Sequence, residues 1–63
     1  MNYSIGQFVS FTNGNPTIQT GVIVKVLPNQ LVIITDESGM ILYNMGYAVG
    51  HCISPSQIIN PIN

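Results

Sequence analysis

The chain has 63 residues, of which 46% are hydrophobic and only Lys25, Asp36 and Glu37 carry a full charge, giving a net charge of −1. That length holds one domain, residues 1–63, and a domain of about 60 residues buries only about 60% of the surface its unfolded chain exposes, so its core is marginal. One cation leaves almost no capacity to neutralise phosphates, which disfavours unaided nucleic-acid binding, and no apolar stretch approaches the roughly 20 residues of a membrane-spanning helix.

Charged residues make up 5% of the chain, against about 25% in average globular proteins, so its polar surface must come from amides and hydroxyls. The many β-branched residues argue against disorder. The first residues show neither a basic region nor a signal-like apolar run. A lone cysteine suits a reducing compartment, and together these features lead us to expect a soluble, cytoplasmic protein. Small domains usually need a disulfide, a metal or a partner subunit. With one cysteine and no ligand cluster, oligomerisation is the expected support.

In chain order, Gln7–Thr12 reads as a first strand with Val9 and Phe11 on the inner face. Asn13-Gly-Asn-Pro16 collects turn formers, which predicts a polar loop over residues 13–19. A second strand follows from about Thr20 to Leu27. If Lys25 faces water, period 2 places Ile23 and Leu27 outward beside it and sends Val22, Val24 and Val26 inward. The third strand, Gln30–Thr35, is apolar on both faces, so either Leu31 with Ile33 or Val32 with Ile34 must look outward. Asp36–Gly39 predicts a tight turn, and Met40–Asn44 a fourth strand. Tyr47-Ala-Val between Gly46 and Gly50 fits either a bulged extension of that strand or a loop. Pro55 and Pro61 exclude a central strand, leaving a turn or single 3₁₀ turn at Ile53–Gln57 and a short edge strand at Ile58–Ile62. No amphipathic helix is expected.

Five short strands with Pro55-Ser-Gln-Ile-Ile59 before the last resemble an SH3-like barrel, all-β, in which this stretch is similar to the P-S-N-Y-V of SH3 domains. The resemblance implies that Ile59 packs into the core. It departs at Ile58, where peptide-binding SH3 domains carry a tyrosine, and in having no tryptophan. Gly6-Gln-Phe-Val-Ser-Phe11 and Gly21-Val-Ile-Val look like the KOW-type and plasmid-type members of the class. Those members include nucleic-acid readers and the small barrel-forming dihydrofolate reductases of plasmids, whose shared pore would involve the strand around His51-Cys-Ile53.

The chain offers little chemistry. Asp36 and Glu37 are adjacent in a turn and do not make the two opposed carboxyls of acid/base catalysis. His51 and Cys52 point to opposite faces if extended, and a structural zinc site needs about four ligands; Cys52 is expected to be buried, and His51 exposed or hydrogen-bonded. The glycines lack the Gly-Lys-Ser/Thr ending of a phosphate-binding loop. No catalytic residue, cofactor site or metal site is therefore assigned. Two surfaces remain. Ile23, Leu27, Val32 and Ile34 form the expected oligomer interface, and Tyr3, Phe8, Tyr43 and Tyr47 a possible aromatic patch for a ligand. The expected function is a non-catalytic interaction module that self-associates and binds a protein partner, in the style of short phage, plasmid and bacterial accessory proteins. An oligomeric reductase of the plasmid type and an accessory nucleic-acid-binding barrel are the alternatives.

Overall fold

The computed structural model describes residues 3–14 and 17–61; Asn15 and Pro16 of the expected loop, and the expected strand end at Ile62, lie outside them. The elements are β1 (Phe8–Thr12), β2 (Ile18–Val26), β3 (Leu31–Ile34), α1 (Glu37–Asn44), β4 (His51–Ile53), a 3₁₀ turn (Pro55–Gln57) and β5 (Ile58–Pro61). The five strands form one antiparallel sheet in the order β4-β3-β2-β1-β5, curled into a half-barrel. Its concave side holds Val9, Phe11, Ile23, Leu31, Ile33 and Ile53, with Tyr3 and Ile58 packed against them.

The expected antiparallel sheet, the inward Val9 and Phe11 and the 3₁₀ turn are present, alongside one α-helix that the sequence reading did not expect. Pro55 opens that turn, where its missing N–H costs nothing. Gln57 then ties the turn to β1: its Oε1 accepts from the Ser54 N–H at 2.9 Å, and its Nε2 donates to the Thr12 carbonyl at 2.8 Å.

Two β-bulges overturn face assignments that strict alternation predicts. In β2, Ile23 pairs with Ile33 but Lys25 pairs with Val32, so Val24 is an extra residue. An extra residue resets which side chains share a face. Ile23 is therefore fully buried in the core although Lys25 is exposed. Val22 and Val24 are half-buried and Val26 is 45% exposed, so the expected inward valines are corrected too. In β5 the pairing steps from Asn60 opposite Ser10 to Ile58 opposite Phe11, skipping Ile59. Ile58 consequently packs on the core and Ile59 is 46% exposed, the reverse of what the SH3 resemblance implies.

All four residues of β3 are buried, so neither of its faces looks outward. Leu31 and Ile33 join the core, whereas Val32 and Ile34 lie on the convex side under α1 and the segment after it. Tyr43 Oη donates to the Val24 carbonyl at 3.3 Å. Gly39 and Gly50 come so near that a Cβ on either would lie 3.2 Å from Ile34 Cγ2 and 2.9 Å from Ile34 Cδ1, respectively. The greasy convex face is thus covered by the chain itself.

The expected strand at Met40–Asn44 is instead part of α1. Asp36 is its N-cap, with Oδ1 accepting from the Gly39 N–H at 2.7 Å, and Glu37 supplies negative charge to the first turn. The C-terminus closes in a Schellman motif: Tyr47 N–H donates to Leu42 O at 3.1 Å, and Gly46 N–H to Tyr43 O at 3.0 Å. That motif requires a left-handed residue, and Gly46 has φ +96°. A Cβ there meets nothing within 4 Å, so Gly46→Ala should cost only the backbone term, about 1–2 kcal/mol. Urea unfolding of synthetic proteins checks this, since D-alanine at position 46 should be harmless. Equal loss from both alanines would refute the capping role.

Candidate interaction surface

The convex side is organised by α1, whose two ends each border an open groove. The N-terminal groove, of about 350 Å³, is floored by Phe8, Val22, Ile34 and Met40 and rimmed by Asp36 and Glu37. The C-terminal groove, of about 310 Å³, is lined by Leu27, Val32, Tyr43, Tyr47 and Cys52, with Lys25 beside them. All three charged side chains of the chain therefore lie at these grooves, the two acids at one end of α1 and the cation at the other.

Between the grooves runs an apolar surface. Side chains three or four apart share a helical face. Gly39, Met40 and Tyr43 are partly buried toward the sheet, while Ile41, Leu42 and Met45 turn away. No residue of α1 is fully buried, and Ile41 is 55% and Met45 66% exposed. These three apolar side chains were missed in the sequence because Met40–Asn44 also fits a short strand. The available signal was Asp36-Glu37 at a helix start with Gly46 just past its end.

Of the expected oligomer interface, Ile23 lies in the core and Val32 and Ile34 are buried beneath α1, leaving half-buried Leu27 at the wall of the C-terminal groove. The expected aromatic patch is divided. Tyr43 and Tyr47 line the C-terminal groove together, Phe8 lies in the N-terminal groove, and Tyr3 packs against the core.

His51 and Cys52 occupy opposite sides of β4. The His51 ring lies 5.7 Å from that of Phe11, and its Nδ1 accepts from the Asn13 side-chain amide at 3.2 Å, which needs the tautomer protonated on Nε2. Cys52 is exposed rather than buried, because it lies on the convex side of β4, the edge strand of the sheet. Asp36 is engaged in capping α1. Among the described residues no three His, Cys, Asp or Glu side chains gather where they could hold a metal ion, and no helix is long and apolar enough to cross a membrane.

No family model matches the chain, no curated protein matches it significantly, and no solved structure does.

Proposed function

We propose that the chain is an SH3-like small barrel that acts as a non-catalytic interaction module, self-associating and binding a protein partner, with the outer surface of α1 as its principal contact. The strand order and the 3₁₀ turn between β4 and β5 support the barrel reading. The observation that carries the interaction reading is that α1 contains Met40, Ile41, Leu42 and Tyr43 yet fully buries none of them. Fully burying a Val, Leu or Ile side chain is worth about 1.5–3 kcal/mol. Covering the exposed halves of Ile41, Leu42 and Met45 would then contribute roughly 1 kcal/mol each, which suits a weak, reversible association.

Sedimentation tests the reading. The wild-type chain should have a weight-average mass above the 6.8 kDa of the monomer, rising with concentration. Ile41→Lys combined with Met45→Lys should return it to monomer while leaving the circular dichroism spectrum unchanged, because both side chains are exposed. A wild-type protein that stays monomeric at high micromolar concentration would rule self-association out.

A further inference from the structure

Resting on the self-association reading above, we infer that the second copy docks antiparallel, α1 against α1 about a two-fold axis, so that the acidic end of each helix meets the lysine end of the other. Three features lead to this arrangement. The exposed apolar side chains Ile41, Leu42 and Met45 lie on the outer surface of α1, and a symmetric contact needs a self-complementary patch. Asp36 and Glu37 border the groove at the start of α1, whereas Lys25 borders the groove at its end, beside Tyr43 and Tyr47. A two-fold axis crossing the middle of α1 is the operation that sets each of these ends against its opposite.

A parallel pairing would instead place Asp36 and Glu37 of one copy against the same carboxylates of the other, and lysine against lysine. The chain has no other Lys, Arg, Asp or Glu side chain to offset that repulsion. Antiparallel helices also oppose their dipoles, putting the positive N-terminal end of one beside the negative C-terminal end of the next. The eight residues of α1 span about 12 Å, so the contact is small, and its charges set orientation more than strength.

The test is a charge exchange read by sedimentation equilibrium at low salt. Lys25→Glu alone and Glu37→Lys alone should each weaken the dimer roughly 5- to 30-fold, since each acts at two symmetry-related pairs. The double variant should recover near wild-type affinity, and high salt should shrink all the differences. In a Cys52→Ser background, oxidation of a mixture of Glu37→Cys and Asn44→Cys proteins should yield mainly the mixed disulfide dimer. Association unmoved by the single reversals, or disulfides mainly between two Glu37→Cys chains, would overturn the antiparallel arrangement and leave self-association standing. A wild-type chain that does not associate at all would overturn both.

Discussion

Replacing Gly21 with alanine is expected to remove a large share of the protein's stability and to lower its urea midpoint markedly. Gly21 lies in β2 opposite Val9. A Cβ there would sit 2.6 Å from both Ile33 Cγ2 and the Ile34 carbonyl oxygen. Ile33 is a fully buried core side chain, and the Ile34 carbonyl belongs to the backbone of the neighbouring strand, so neither can yield without disturbing the ladder or the core. Overpacking of this kind costs about 1–3 kcal/mol and occasionally more. A domain of this length has a total stability of only roughly 3–9 kcal/mol. Circular dichroism at increasing urea checks the outcome against Thr20→Ala, a change at the exposed neighbouring position expected to cost far less. A Gly21→Ala protein with the wild-type midpoint would mean that β2 and β3 do not approach as described.

The second large effect separates two surfaces that strict alternation confuses. Ile23→Lys is expected to abolish folding at every concentration rather than to release a folded monomer, because Ile23 is fully buried among Val9, Phe11, Leu31, Ile33 and Ile53. A lysine there would bury an ammonium group with no carboxylate in the core cluster to pair it. Ile23→Val should retain the fold at a cost of about 0.5–1.5 kcal/mol. The exposed Ile41, by contrast, should accept lysine with little loss of stability. Thermal unfolding of the three variants decides: a folded, monomeric Ile23→Lys protein would show that Ile23 faces outward after all and that the bulge at Val24 is misplaced.

The residues that read correctly from the sequence are those whose conformation depends on their immediate neighbours. Gln7–Thr12 puts Val9 and Phe11 on one face, and that face is the core face. Pro55 sets a 3₁₀ turn because its own ring dictates its φ angle. At Ile23 and Ile59, period-2 reasoning failed because it assumes an unbroken ladder, whereas a bulge is defined by pairing with a strand distant in sequence. Met40–Asn44 fits either a strand or a helix over so short a run. The cap from Asp36, the left-handed Gly46 and the need to cover Val32 and Ile34 selected the helix. That the chain would have more apolar surface than one small core can bury was determined by its sequence. Where the surplus emerges was decided by the tertiary structure: α1 folds back over the convex face of the sheet, buries Val32 and Ile34, and leaves Ile41, Leu42 and Met45 on its own outer side, because a single short helix can turn only one face inward.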